Sequence, residues 1–290
     1  MPLVSTIDLL HAAVSHGNAV GAFNVLHLET AEALVGAAED ARLPVILQIS
    51  QNCADFHGGL EPIALATLAV AARSTASVAV HLDHAEDELL TRQAIDLGFG
   101  SVMFDGATLD YERNVEATLR VVDYGHANNV SVEAELGEIG GKDGAHAPGV
   151  RTDPDEARRF VSETGVDSLA VAVGSSHAMT ERTASLDLDL IGRLHRAVPV
   201  PLVLHGSSGV ADETIVAAIR RGITKVNVST HLNRFFTDAV RLQLAAHPDV
   251  VDSRRYLREA RTAVRTEAAR LLALFALAER DSTTTERAHG

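Results

Sequence analysis

The segment Val80-His81-Leu82-Asp83-His84-Ala85 leaves an apolar run and sets a carboxylate directly before an imidazole. Two more histidines, His177 and His205, also close short apolar runs. Any one of them alone reads as a hydrogen-bonded or solvated side chain. Three at equivalent positions can converge on a tetrahedral zinc ion that keeps its fourth position open. Asp83, next to His84, then stands where a proton carrier at a metal-bound substrate is needed, or where an acceptor orients a histidine. Glu135 and Asp105 are read as reserve or second metal ligands, or as carboxylates that order a loop. Asn24, Ser50, Asn227, Ser229 and Thr230 end further apolar runs in polar groups. His81 is read as facing inward or supporting the site.

Those residues need a scaffold that brings eight chain segments to one face. Short runs rich in Val, Ile and Ala alternate with stretches of helical spacing, the signature of βα units and a parallel sheet. Eight strands are predicted, at Ala19 to Val25, Pro44 to Ser50, Val78 to Asp83, Ser101 to Gly106, Val130 to Gly137, Ser168 to Gly174, Pro201 to Gly206 and Lys225 to Thr230. Runs apolar on both faces belong to a buried parallel sheet, and eight of them close into an α/β (β/α)8 TIM barrel. An open doubly wound sheet would call for a glycine fingerprint after the first strand, where the chain reads NVLHLET. Residues 1–290 are read as one barrel domain, with an added amphipathic helix at 253–278 and a frayed tail at 281–290.

In a parallel barrel the carboxyl ends of the strands share one face, and chemistry sits there. Gly206-Ser207-Ser208-Gly209 and Asn227-Val228-Ser229-Thr230 would then follow strands seven and eight, where such barrels often hold a phosphate on backbone N–H groups. The glycine-rich stretch GEIGGKDGAHAPG, 137–149, reads as a loop able to close over the mouth.

Composition narrows the partners. A formal charge of −14 over 290 residues argues against nucleic acid or an anionic membrane as the main partner. One cysteine, Cys53, rules out an internal disulfide and suits the cytoplasm. No apolar run reaches the roughly 18 residues of a membrane span. Only two lysines are present, Lys142 and Lys225. A Schiff-base enzyme needs a lysine pointing into the mouth; Lys142 falls on the loop and Lys225 is expected to open strand eight at the opposite end.

Taken in order, GAFNV at Gly21, LDH at Leu82, SVMFDG, EAELGEIGG at Glu133, GSSH at Gly174, LHGSSG at Leu204 and KVNVST at Lys225 resemble the class II, zinc-dependent ketose-bisphosphate aldolases over nearly the whole chain. The resemblance implies a (β/α)8 barrel, a homodimer or homotetramer, and one zinc ion per subunit on His84, His177 and His205. It implies Asp83 as proton carrier at the bond being broken. Gly206, Ser208, Asn227, Ser229 and Thr230 match phosphate and substrate turns; Asn24, Ser50 and the backbone of Ala178 match substrate contacts. Asp105 and Glu135 match positions able to hold a second or displaced metal ion.

The chain also departs from the family pattern. Ala178 follows the second histidine where glycine is usual, and the lysine expected soon after is missing, which weighs against a monovalent-cation site there. Asp143 stands in the loop where a glutamate usually acts as acid or base, with Glu135 in reserve. Ser229 replaces a frequent aspartate, so stereochemistry cannot be carried over.

The expected activity is reversible cleavage of a phosphorylated ketose, fructose 1,6-bisphosphate first, to dihydroxyacetone phosphate and an aldehyde. Tagatose 1,6-bisphosphate and the phosphorylated deoxy-keto acid of inositol breakdown are the alternative substrates. A zinc hydrolase and a barrel that only binds sugar phosphates are the competing classes. The first commonly takes an H-x-H motif from strand one, absent from GAFNV; the second is motivated by Asp143 and Ala178.

Overall fold

A computed structural model of the chain describes residues 3–137, 151–176 and 182–277. Eight parallel strands close into a barrel in sequence order, each bonded to the next and β8 to β1. They are β1 Val20–Asn24, β2 Val45–Ser50, β3 Val78–Ala85, β4 Ser101–Phe104, β5 Ser131–Leu136, β6 Ser168–Val171, β7 Leu202–Leu204 and β8 Ile223–Val228. The expected (β/α)8 TIM barrel is therefore the observed fold.

Alternation along each strand sorts the side chains between two environments. Phe23, Leu47, Ile49, Val80, Leu82, Val102, Phe104 and Val226 point outward into the core shared with the helices. The opposite parity faces the barrel axis. At its amino end Val20, Ala22, Ile46 and Ala79 pack against Leu10 and Ala13 of helix α1, Thr6–His16, which closes that end. Higher up, Met103, Ala170, Ala172 and Val203 form a small apolar cluster, and the remaining inward positions carry polar groups.

The helices that follow are α2 Leu28–Ala41, α3 Gln51–Phe56, α4 Leu60–Ala71, α5 Glu88–Asp96, α6 Tyr111–Ala127, α7 Pro154–Thr164, α8 Leu188–Ala197, α9 Asp212–Arg220, α10 Thr230–Ala246 and α11 Ser253–Phe275. Aspartate side chains cap five of them: Asp87, Asp110, Asp153, Asp187 and Asp252 each accept from an N–H of the first turn. Such a cap is worth about 1 kcal/mol and fixes where a helix starts. α11 lies along α2 and α10, and its Phe275 ring meets Phe23 of β1 at 6.3 Å. It corresponds to the expected helix at 253–278; the tail at 281–290 lies outside the described residues.

One expectation needs correcting. Lys225 does not open strand eight. Ile223 does, and Lys225 is the third residue of β8, 0% exposed and pointing into the barrel. Thr230, expected to end that strand, begins α10 instead.

Candidate active site

Adjacent strand residues point to opposite sides of a sheet, so Asp83 and His84 should not both face the mouth. A local irregularity resolves this. His84 has a positive φ of 48°, and the β3–β4 register shifts between Leu82 and Ala85. This left-handed step is uncommon for a residue with a side chain. It turns the imidazole back toward the carboxyl end of the barrel, beside Asp83.

The two imidazoles from β3 and the end of β7 meet there. His84 Nε2 lies 2.7 Å from His205 Nδ1, and their rings stand edge-on at 4.5 Å. Each ring is held from behind by a carboxylate. Asp105 Oδ2 is 2.8 Å from His84 Nδ1, and Glu133 Oε1 is 3.0 Å from His205 Nε2. Carboxylates only accept, so each ring donates its N–H backward and turns a lone pair toward the other. Two lone pairs at that separation repel unless a cation lies between or beside them. The donor set thus fits a metal ion of the kind that imidazole and carboxylate bind. Asp83, His84 and His205 offer ligand atoms within 4.8 Å of one another, as do His84, Asp105 and Glu135. Glu135 Oε2 is 3.8 Å from His84 Nδ1.

Asp83 is 3% exposed and sits in a cradle of amides. Its Oδ2 accepts from Asn24 Nδ2 at 3.0 Å and from Gln48 Nε2 at 3.3 Å; its Oδ1 accepts from Asn227 Nδ2 at 3.3 Å. Gln48 also donates to Asn24 Oδ1 at 2.8 Å, which locks the two amides together. Burial pushes the Asp83 carboxyl up; positive charge at the His84 and His205 position, which with neutral rings only a cation held there supplies, together with Lys225 and the Asn24 hydrogen bond, more than reverses this and holds it at about 2. It is therefore ionised at neutral pH and able to accept.

The turns after β7 and β8 lie side by side. A 3-10 turn, Ser207–Gly209, follows Gly206. Ser207 Oγ donates to the Asn227 carbonyl at 2.5 Å, and the N–H of His231 donates to Ser208 Oγ at 3.1 Å. Ser229 precedes the first turn of α10, where Thr230 stands. Gly206 has φ 64°, and a Cβ there would meet the Ser176 backbone at 2.7 to 2.8 Å. That glycine lets the turn press against the segment leading to His177.

Among the expected site residues, the structure groups Asn24, Asp83, His84, Asp105, Glu135, His205 and Asn227 by direct contact at the mouth. Gly206, Ser208, Ser229 and Thr230 line the two neighbouring turns. Ser50 ends β2 opposite Asp83 in register, and its Oγ caps α3 by accepting from Cys53 N–H at 3.3 Å. His177, Ala178 and Asp143 lie outside the described residues.

One inward residue, Gln48, escaped the sequence reading as part of this arrangement. Gln48 alternates with Ile46 and Ser50, so the strand period alone placed it on their face. Glu133 lies against Lys225 and behind His205. Away from the mouth, His231 of α10 has Glu267 of α11 at 2.6 Å.

Comparison with known proteins identifies the family. The family model described as Fructose-bisphosphate aldolase class-II matches residues 4–280. The fructose-bisphosphate aldolase of Geobacillus stearothermophilus is 40% identical over 269 residues, 91% of this chain and 94% of that protein. The probable fructose-bisphosphate aldolase of Bacillus subtilis (strain 168) is 39% identical over the same length and shares. The crystal structure of the YdjI aldolase from Escherichia coli K12 superposes with a TM-score of 0.81 at 33% identity, covering 94% of this chain and 97% of that one. Fold, order of motifs and extent of match converge: this chain belongs to the class II fructose-bisphosphate aldolase family.

Proposed function

We propose that the protein cleaves fructose 1,6-bisphosphate reversibly to dihydroxyacetone phosphate and an aldehyde phosphate, using one zinc ion per subunit. The observation that carries this reading is the meeting of His84 Nε2 and His205 Nδ1 at 2.7 Å, each ring acid-held from behind, beside an ionised Asp83. The bound zinc would supply Lewis-acid polarisation of the ketose carbonyl. His84 and His205 would hold it, with His177 as the third imidazole.

Asp83 takes the proton from the hydroxyl next to the scissile carbon–carbon bond. It is aimed by Asn24, Gln48 and Asn227, so little reorganisation is needed as the proton moves. The three-carbon fragment must then gain a proton at carbon; Asp143 from the loop gives it, with Glu135 in reserve. N–H groups and hydroxyls at Gly206, Ser208, Ser229 and Thr230 bind the phosphate, and Asn24, Ser50, Asn227 and the backbone of Ala178 orient the sugar. Asp105 and Glu135 are the groups for a second or displaced metal ion.

Two relatives near 40% identity that carry the name fructose-bisphosphate aldolase support fructose over the other ketoses. The test is a panel of fructose 1,6-bisphosphate, tagatose 1,6-bisphosphate and the phosphorylated deoxy-keto acid, with product release followed by a coupled assay. Fastest release from the fructose ester is expected. Preference for either of the others reassigns the substrate within the same chemistry. Failure on all three in zinc-loaded protein moves the reading to a phosphorylated ketose outside the panel or to a sugar-phosphate-binding barrel.

The assembly we propose is a homodimer or homotetramer in the cytoplasm. A buried, unpaired Cys53 suits that reducing compartment. No helix among the described residues is long and apolar enough to cross a membrane.

A further inference from the structure

Below the mouth, a line of buried side chains runs down the barrel axis behind His205. Lys225 and Glu133 are 0% and 2% exposed, and Lys225 Nζ donates to Glu133 Oε2 at 2.7 Å. Such a pair removed from water requires a strong reason to persist, because apolar residues of similar volume would serve the core as well or better. Its surroundings supply one. Lys225 Nζ lies 3.3 Å from His81 Nε2, and His81 Nδ1 lies 2.7 Å from Ser101 Oγ. Ser101 gives its own proton to Thr6 Oγ1 at 2.7 Å.

Donor and acceptor roles can now be assigned along the whole line. Since the Ser101 hydroxyl proton goes to Thr6, His81 donates from Nδ1 and accepts at Nε2 from Lys225. Lysine has no acceptor capacity, so Glu133 must accept from it at Oε2. At Oε1 the same carboxylate accepts from His205 Nε2–H. Asn227 Nδ2, 3.1 Å from that nitrogen, then gives its hydrogen bond to Asp83. The order of donors leaves His205 with its proton on Nε2 and its lone pair on Nδ1, the atom that faces His84.

We propose that Glu133 and Lys225 are positioning residues that fix which nitrogen of His205 carries the proton, and so make Nδ1 a metal-binding atom. The proposal rests on the zinc reading above for its consequence, but the proton on Nε2 is set by Glu133 with or without the metal, because the carboxylate oxygen facing it can only accept. The decisive feature is that a carboxylate accepts at both oxygens while an amide accepts at one. In Glu133→Gln the lysine claims the carbonyl oxygen. The amide NH2 then faces His205 Nε2, which must become an acceptor, and the ring proton moves to Nδ1. Removing the lysine as well frees the glutamine to turn its oxygen toward His205.

The experiment compares metal-free wild type, Glu133→Gln, Glu133→Gln/Lys225→Met and Glu133→Leu/Lys225→Met, each labelled with 15N-histidine. Two-bond 1H–15N correlation spectra report the His205 tautomer, assigned by its loss in His205→Gln, and chelator competition gives the zinc dissociation constant. Wild type is expected in the Nε2–H form. Glu133→Gln should switch to Nδ1–H and bind zinc about 10- to 100-fold more weakly, the usual effect of losing a partner behind a ligand. The glutamine/methionine double variant should return to Nε2–H and recover most of the affinity; the leucine/methionine one should not.

Both double variants carry no buried charge at these positions, so their contrast decides the matter even where Glu133→Gln does not fold. An unchanged tautomer in Glu133→Gln, or equal zinc affinity in the two double variants, overturns the proposal. Failure of wild type to cleave any ketose bisphosphate would sink the aldolase reading and leave the tautomer result intact.

Discussion

Asp83→Asn is the substitution that separates proton transfer from every other role of the mouth. The side chain keeps its shape and loses its charge. Its carbonyl oxygen can take the place of Oδ2 and keep the bonds from Asn24 at 3.0 Å and Gln48 at 3.3 Å. Its NH2 then faces Asn227 Nδ2 at the former 3.3 Å contact, and a turn of the Asn227 amide presents an oxygen instead. The net loss is about one hydrogen bond, roughly 1 kcal/mol. A fall in Tm of no more than about 4 °C is therefore expected for a chain of this size. The effect on cleavage is much larger. A positioned base contributes about 10²- to 10⁴-fold, equivalent to roughly 3–5 kcal/mol of barrier. The assay pairs kcat for cleavage with entry of solvent deuterium into dihydroxyacetone phosphate. Because Asp83 serves the hydroxyl of the aldehyde half, exchange at the three-carbon fragment should fall less than about tenfold while cleavage falls by the full amount. Cleavage within tenfold of wild type would refute the role of Asp83. So would cleavage and exchange falling together, since that would make Asp83 a support of the metal rather than a proton carrier.

Two further outcomes follow from the geometry. Gly206→Ala forces a side chain onto a residue at φ 64° and to within 2.7 Å of the Ser176 backbone; KM for the phosphorylated ketose should rise at least tenfold, and an unchanged KM would show that this close approach does not shape the phosphate turn. At Glu267, burial pushes the carboxyl up, yet hydrogen bonds from His231 and Arg270 more than reverse this and hold it at about 2, below its ordinary 4.5. The stability it contributes is thus complete above about pH 4.5 and is lost as pH falls toward 2. Glu267→Gln should be less stable than wild type at pH 7 and converge with it at pH 2 to 3 in denaturant titrations; a constant difference across that range would contradict the assignment.

The barrel was legible because its strands are short apolar runs at regular spacing and the mouth lies where those runs end. Local detail was less so. The adjacency of Asp83 and His84 suggested a site, but only the left-handed backbone at His84 explains how neighbours reach the same cavity, and no residue type announces it. Lys225 was read as a strand boundary because a lone lysine before an apolar run ordinarily sits in water. Its interior position depends on Glu133, 92 residues away in the chain, and a partner at that separation leaves no periodic trace. Gln48 was hidden for the opposite reason: it sits inside an apolar strand, and its value appears only when Asn24 and Asp83 are brought to it by β1 and β3.

The central claim is that the paired imidazoles of His84 and His205 hold the metal on which cleavage depends. The most direct measurement strips the protein with EDTA and follows cleavage of fructose 1,6-bisphosphate as zinc is returned in steps, with bound zinc counted by elemental analysis. No cleavage is expected in the stripped protein, and the rate should climb to a break at about one zinc per chain. Full cleavage by the metal-free protein would contradict the claim.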